Sequence, residues 1–132
     1  MTSPFHLRCL DCEATAQPTV RLLNCPECGG LFEVAYTTPA ATDSPLPLQS
    51  PASRLSLGEG ATPVIELRRT ASQLGLSRLW AKLEYVAPTG SFKDRGSSVL
   101  ISVAREHRAS EFVEDSSGNA GASLAAYAAA AR

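Results

Sequence analysis

Four cysteines confined to the first 28 residues are the strongest constraint on how this 132-residue chain can fold. They form two C-x2-C pairs, Cys9 with Cys12 and Cys25 with Cys28, and 12 residues separate the two pairs. Two residues between ligands let each pair present both sulfurs to one ion, and four thiolates complete the tetrahedron that structural zinc prefers. A unit of under about 40 residues rarely folds without a metal or disulfides. We therefore expect residues 1–37 to form a zinc ribbon in which the metal is structural.

Apolar residues alternate on either side of the cysteine pairs, which predicts two short strands. They are Phe5, Leu7 and Cys9 before the first pair closes, and Phe32, Val34 and Tyr36 after the second pair.

Two other interpretations of the cysteines stay open: a pair of disulfides, and a degenerate ribbon that binds no metal. The N-terminus lacks the apolar segment of a signal peptide, and no apolar run approaches the length of a membrane span. The chain is therefore expected to be cytosolic and to have no membrane partner. Cysteines in that compartment are reduced or metal-bound, which favours zinc.

Nucleic acid is not an expected partner either, although zinc ribbons can bind it. The chain has 12 Lys and Arg against 13 Asp and Glu, a net charge of −1. Nucleic-acid affinity comes largely from basic residues that meet phosphates, so this balance argues against it.

A proline-rich segment separates the cysteines from the rest of the chain. Residues 38–56 carry four prolines among alanine, serine and threonine, with no apolar periodicity. Proline removes a backbone donor and fixes φ, so this segment can continue neither a helix nor an internal strand. We predict a zinc ribbon over 1–37, a linker over 38–56 and an α/β region over 57–132.

Strand-like and helix-like patterns alternate after residue 57. The patterns predict short strands at 63–67, 79–86 and 111–114, a short helix at 70–74 that Gly75 closes, and an alanine-rich helix at 122–132. The order strand, helix, strand, helix indicates parallel β-α-β connections. We expect an α/β fold.

A further helix is predicted after the turn in residues 88–96, PTGSFKDRG. Ser91 and Asp94 have the spacing of a capping box. The apolar stripe of this helix is predicted to consist of Phe92, Gly96, Val99, Leu100 and Val103.

Lys93 lies in the first turn of that helix, where the helix dipole and nearby Arg95 both favour a neutral amine. Schiff-base formation with an aldehyde requires a neutral amine, because an ammonium has no lone pair. On these electrostatics alone, a surface lysine at a helix start is still the better interpretation.

Three segments resemble the threonine synthase branch of the fold-type II pyridoxal-phosphate enzymes. Residues 88–96 resemble its cofactor-lysine motif, 57–63 (LGEGATP) resemble the segment before that motif, and 115–127 (DSSGNAGASLAAY) resemble its asparagine loop and the following helix. The cysteine pairs also resemble a ribbon that many bacterial members of the branch carry. The resemblance implies a zinc ribbon followed by the first βα units of a tryptophan synthase β-like fold. Residues 57–132 would then be the N-terminal part of a catalytic domain.

The resemblance also implies roles for individual residues. Lys93 matches the lysine that binds pyridoxal 5′-phosphate and later moves protons at the substrate, Phe92 matches a residue that packs on the cofactor ring, and Asn119 matches one that hydrogen-bonds its 3′-oxygen. The implied site for the substrate carboxylate is the backbone of Ser116, Ser117, Gly118, Asn119 and Ala120. A helix N-terminus suits an anion on physical grounds as well. The two serines have an alternative interpretation as plain helix caps.

Two features depart from the family pattern. Ala87 stands where an asparagine usually precedes the proline, and Glu114 and Asp115 add negative charge before the asparagine loop. The glycine-rich loop that holds the cofactor phosphate lies later in the family. We therefore expect an incomplete N-terminal portion that is inactive alone.

The implied activity is that of a threonine synthase-like lyase, which converts O-phosphohomoserine and water to threonine and phosphate. The expected partners are a small amino-acid substrate and, for the full-length form, a second copy in a homodimer. A related β-elimination or β-replacement enzyme, such as a serine/threonine dehydratase or a cysteate synthase, is an alternative. Dehydratases of this fold generally lack the ribbon, which favours the threonine synthase branch. An alternative from another class is a non-catalytic zinc-ribbon binding module.

Overall fold

The structure is a computed structural model, and it describes residues 4–19, 21–37, 46–116 and 118–131. The chain divides into two units: residues 1–54 with 102–111 form the first, and residues 55–101 with 112–132 form the second. The division into ribbon, linker and catalytic part at residues 37 and 56 stays a prediction.

A three-stranded antiparallel sheet carries the cysteines in the first unit. Strand β1 (Phe5–Cys9) lies between β2 (Thr15–Ala16) and β3 (Phe32–Tyr36). Phe5 pairs with Tyr36, and the centroids of their rings are 6.2 Å apart. Alternating apolar residues on either side of the cysteine pairs predicted two short strands, and β1 and β3 confirm them.

The two strands of the second unit are antiparallel, which corrects the predicted parallel connection. Strand β4 (Val64–Glu66) pairs with β5 (Trp80–Lys82). The Leu67 N–H donates a 2.9 Å hydrogen bond to the Leu79 carbonyl oxygen. The end of β4 therefore lies beside the start of β5, and the segment that joins the two strands returns at the same end of the pair. A parallel pair would instead need a crossover that returns the chain to the start of β4.

The predicted short helix is confirmed as α1 (Arg68–Gln73), and the chain leaves it through Gly75. Gly75 has a φ of +67°, a left-handed conformation that glycine reaches without steric cost.

The strand predicted at 111–114 is wrong. Residues 109–116 are irregular, and the side chain of Val113 is 99% exposed. Both ends of the predicted strand are glutamates, and none of the described strands pairs with the segment. An extended conformation here would neither bury apolar surface nor form a hydrogen-bonded ladder.

The described elements also include two longer helices, α2 (Lys93–Glu106) and α3 (Asn119–Ala130), and two single 3-10 turns, Pro51–Ser53 and Glu84–Val86. The second of these turns occupies the end of the strand predicted at 79–86, so that strand is shorter than expected. Ile101 of α2 packs against Leu124 and Tyr127 of α3, and these three residues form the core of the second unit. Within the described ranges, no helix is long and apolar enough to cross a membrane.

The buried face of α2 is not the predicted one. Phe92, just before the helix, and Leu100 are 57% and 48% exposed. The side chains that α2 buries are mostly small or polar: Asp94, Ser97, Ser98, Ile101, Ser102 and Ala104. Polar groups are buried only where hydrogen-bond partners satisfy them, and an apolar stripe in the sequence cannot show those partners.

Candidate cofactor site and metal centre

The lysine motif and the asparagine loop meet at one cavity in the second unit. The cavity has a volume of about 510 Å³ and is lined by Lys93, Glu114, Asp115, Ser116, Gly118, Asn119 and Ala120. Lys93 is the first residue of α2 and Asn119 is the first residue of α3, so both helices begin at this cavity. Ser117, the remaining predicted carboxylate-binding residue, lies outside the described residues.

The exposed side chain of Lys93 lies against an aromatic ring. Its Nζ is 4.8 Å from the centroid of the Phe92 ring, a cation–π contact. Because more than half of Phe92 is exposed, its ring has free area beside the amine for stacking on a flat ligand.

Arg95, which was expected to act on Lys93, has its charge paired elsewhere. Its Nε and Nη2 lie 2.7 and 2.8 Å from the two carboxylate oxygens of Glu84. The hydrogen bonds from Arg95 lower the pKa of Glu84 to about 2, so the carboxylate stays ionised and the pair persists.

Ser116 shapes the loop before α3. Its hydroxyl oxygen accepts a 3.1 Å hydrogen bond from the Gly118 N–H, a pattern by which serine stabilises turns. The first N–H groups of α3 have no acceptor within the helix, and the helix dipole makes this end positive. An anion in the cavity is favoured there. The carboxylates of Glu114 and Asp115 line the same cavity and oppose the binding of a second anion.

Asp94, next to Lys93, is fully buried. Its carboxylate accepts a 2.8 Å bond from the Thr89 N–H, a bond from the Thr89 hydroxyl and a 2.6 Å bond from the Ser123 hydroxyl. Burial opposes ionisation of Asp94, but the bonds from Ser123 and Thr89 outweigh it and lower its pKa. The carboxylate therefore binds Thr89 rather than the Ser91 N–H that the capping-box spacing predicted, which is a correction.

No sequence pattern pointed to a second buried carboxylate, Glu59. The fully buried Tyr127 donates a 2.9 Å hydrogen bond to Glu59 Oε2, and the Ser56 hydroxyl donates to the same oxygen at 2.9 Å. Burial opposes ionisation of Glu59, but bonds from Ser98, from its own backbone and from Tyr127 outweigh it and lower its pKa to about 2. The only sign of its role in the sequence was that Glu59 lies between two glycines in residues 57–63, a segment that resembles the family.

The four cysteines converge in the first unit. Their Sγ atoms all lie within 4.8 Å of one another, with Cys9 and Cys28 3.5 Å apart and Cys12 and Cys25 3.6 Å apart. Tetrahedral zinc, with Zn–S bonds of about 2.3 Å, places its sulfurs about 3.8 Å apart, so the cluster fits such an ion. All four side chains are free thiols, and their separations far exceed a disulfide bond of about 2.0 Å. The arrangement suits a metal rather than two disulfides.

The two cysteine pairs have matching backbone turns. The Cys9 carbonyl accepts a 3.2 Å hydrogen bond from the Glu13 N–H, and the Cys25 carbonyl accepts a 2.8 Å bond from the Gly29 N–H. The first pair therefore forms a regular turn although it lacks the glycine that follows the second.

Backbone N–H groups also point at the sulfurs. Asp11 donates to Cys9 Sγ and Gly30 donates to Cys28 Sγ, each at 3.4 Å. The N–H groups of Cys12 and Asp11 lower the pKa of the Cys9 thiol to about 7. The Gly30 N–H lowers the pKa of the Cys28 thiol, but the hydrogen bonds of Cys28 with Cys12 and Cys9 outweigh this effect and raise its pKa to about 12. A thiolate that forms near neutral pH is the species that binds a metal.

The sequence of this chain is similar to those of known proteins. The family model described as pyridoxal-phosphate dependent enzyme matches residues 55–132. A protein named threonine synthase from Methanosarcina acetivorans is 32% identical, over 96% of this chain and 35% of its own length. A threonine synthase from Methanocaldococcus jannaschii is 34% identical, over 92% of this chain and 34% of its own length. A threonine synthase from Bacillus sp. (strain ULM1) is 44% identical, over 64% of this chain and 24% of its own length. The chain thus spans about a third of the first two relatives. No solved structure matches.

Proposed function

This chain belongs to the pyridoxal-phosphate dependent enzyme family, and from that premise we propose that it forms the N-terminal part of a threonine synthase-like lyase. The two archaeal relatives that match more than nine-tenths of the chain carry that name. The single observation that carries the proposal is the cavity shared by Lys93 and Asn119. Lys93 would bond covalently to the cofactor and Asn119 would hydrogen-bond to it, so both side chains have to reach the same bound molecule.

The residues at this cavity fit pyridoxal phosphate. Lys93 supplies an exposed amine that can bond to an aldehyde carbon. Phe92 supplies a ring face beside that amine, and the Asn119 amide can donate a hydrogen bond to a ring oxygen. When bound, the cofactor supplies an electron sink for negative charge at the carbons of the substrate.

The start of α3 serves the substrate in this proposal. The N–H groups of Asn119 and Ala120 and the helix dipole bind the carboxylate of a small amino acid, for which we propose O-phosphohomoserine. The bound carboxylate orients the substrate, so that the Lys93 amine can move a proton between neighbouring carbons. Such positioning supplies much of the rate in reactions of this kind.

The chain alone is expected to bind the cofactor weakly and to be inactive. The cofactor phosphate is a dianion, whereas the cavity lining has one cation, Lys93, and two carboxylates, Glu114 and Asp115. Lys93 bonds to the aldehyde of the cofactor, so it does not also hold the phosphate. The N–H groups that hold the phosphate then have to come from a further segment, as the family resemblance implies.

The ribbon has a structural role in this proposal. With four thiolates around one zinc, no coordination position is left open for a substrate. We also propose a cytosolic location, because all four cysteines are free thiols and a reducing compartment keeps them so.

Borohydride trapping tests the assignment of the lysine. The chain has two lysines, Lys82 and Lys93, and the Lys82 Nζ donates a 2.8 Å hydrogen bond to the Thr62 carbonyl. Lys82 therefore serves as an internal reference. After incubation with pyridoxal phosphate and reduction, mass spectrometry should find more modification at Lys93 than at Lys82. Lys93→Ala should remove that signal.

The contribution of Asn119 is tested in the same assay. Asn119→Ala should reduce the preference for Lys93, and Asn24→Ala in the first unit is the control that should leave it unchanged. A related dehydratase or cysteate synthase would give the same trapping pattern, and substrate assays of a full-length form separate those activities. Equal or greater modification of Lys82 in the parent chain would contradict the proposal and favour the non-catalytic binding module.

A further inference from the structure

One buried hydrogen bond joins the two helices that begin at the cavity. Asp94 follows Lys93 in α2, and Ser123 lies four residues after Asn119 in α3. Both side chains are fully buried, and the Ser123 hydroxyl donates a 2.6 Å hydrogen bond to Asp94 Oδ1. Residues four apart on a helix lie on the same face, one turn above the other. The bond therefore links the helices within one turn of the cavity.

The same carboxylate also holds the turn that leads into Lys93. Thr89 donates to Asp94 through both its N–H and its hydroxyl, and the Ser97 hydroxyl oxygen lies 2.8 Å from that of Ser123. A buried carboxylate with neutral donors resists displacement, because each lost bond leaves part of a desolvated charge unsatisfied. The turn, α2 and α3 are thus connected through one group.

We propose that Asp94 and Ser123 are a positioning pair, whose bond sets the distance and orientation between the Lys93 amine and the Asn119 amide. Neither residue lines the cavity, so the pair acts through its two neighbours. This inference rests on the proposed function, since the pair has this role only when Lys93 and Asn119 bind one cofactor.

The chain offers a matched comparison on the same helix. Tyr127→Phe and Ser123→Ala each remove one fully buried hydroxyl of α3 that bonds a buried carboxylate. The carboxylate partner of Tyr127 is Glu59, in the segment before β4, whereas that of Ser123 is next to Lys93. Both changes are expected to lower the stability of the fold, but only Ser123→Ala removes a hydrogen bond to the residue next to Lys93.

The experiment measures the ratio of Lys93 to Lys82 trapping in the full 132-residue chain at limiting pyridoxal phosphate, together with urea unfolding of each variant. Ser123→Ala should lower the ratio by about tenfold, because a misplacement of about 1 Å can cost about 100-fold in reactivity. Tyr127→Phe should leave the ratio unchanged despite its loss of stability.

Three further variants separate positioning from a general structural effect. Ser123→Ala combined with Asn119→Ala should lower the ratio no further than Asn119→Ala alone, because both changes remove the same contact. Thr89→Ser, which keeps the hydroxyl donor to Asp94, should retain the ratio, whereas Thr89→Val should lower it. The Thr89 variants keep the inference testable if Ser123→Ala fails to fold.

The outcomes distinguish the two hypotheses. An unchanged ratio in both Ser123→Ala and Thr89→Val, or an equal loss in Tyr127→Phe, would overturn the positioning role while the proposed function stands. A parent chain without preference for Lys93, or a preference that Asn119→Ala leaves intact, would overturn the proposed function and this inference with it.

Discussion

Glu13 has a φ of 61°, in the left-handed region that Gly29 occupies with a φ of 79° at the matching position of the second cysteine pair. Side chains with a Cβ rarely adopt this conformation, because the Cβ approaches a backbone oxygen. One of the two turns therefore carries a conformational strain that the other avoids, although their hydrogen bonds match.

We expect Glu13→Gly to stabilise the ribbon by about 1 kcal/mol, because glycine reaches this conformation without steric cost. Gly29→Ala should destabilise it by a similar amount. An added Cβ at Gly29 has no atom within 4 Å, so the effect is purely conformational. Thermal unfolding of the metal-loaded protein measures both changes. A Gly29→Ala variant as stable as the parent would contradict this account.

Metal content tests the ribbon. The purified chain should contain about one zinc per molecule, and Cys25→Ser should release it, because three thiolates bind less tightly than four. Hydrogen exchange should then accelerate in residues 4–37, while residues 55–101 keep their protection. A chelator should reproduce the effect in the parent chain. Metal-free protein with unchanged exchange in the ribbon would contradict the prediction.

The bond between Tyr127 and Glu59 is expected to stabilise the second unit. Tyr127→Phe should lower the free energy of unfolding by about 1.5 to 3 kcal/mol, since hydrogen bonds to charged groups are worth that much. The control is Tyr85→Phe, because Tyr85 is 70% exposed and its change should stay within about 0.5 kcal/mol. Equal unfolding midpoints in urea for the two variants would contradict a buried, bonded hydroxyl at Tyr127.

Stability should fall in acid because of Glu59. Its pKa in the folded chain is about 2, against a usual value of 4.5. As the pH falls below about 4.5 the unfolded chain takes up a proton first, so the stabilisation from Glu59 is complete above that pH and is lost toward about pH 2. Urea midpoints over this range measure the loss. Glu59→Gln should make the profile shallower, and the remaining slope comes from Glu84 and Asp94, whose pKa values are also lowered. Glu111→Gln, at an exposed position, should leave the profile unchanged.

Most of the features that were predicted correctly depend on residues that lie close together in the sequence. The cysteine spacing predicted the four-sulfur cluster, alternating apolar residues predicted β1 and β3, and Gly75 predicted the end of α1. The family resemblance implied that Lys93 and Asn119 bind one cofactor, and the structure places both at one cavity. These features depend on backbone geometry over a few residues or on the order of segments, both of which the sequence contains.

Tertiary structure alone decided the rest. Asp94 is on the buried face of α2 because it meets Ser123, 29 residues away, and Glu59 is buried because it meets Tyr127, 68 residues away. The antiparallel direction of β5 depends on where the connection closes, and none of the strands in the described part of the chain pairs with the segment at 111–114. A polar side chain is buried only when distant segments bring donors to it, and a strand forms only beside another strand. Neither condition can be read from neighbouring residues.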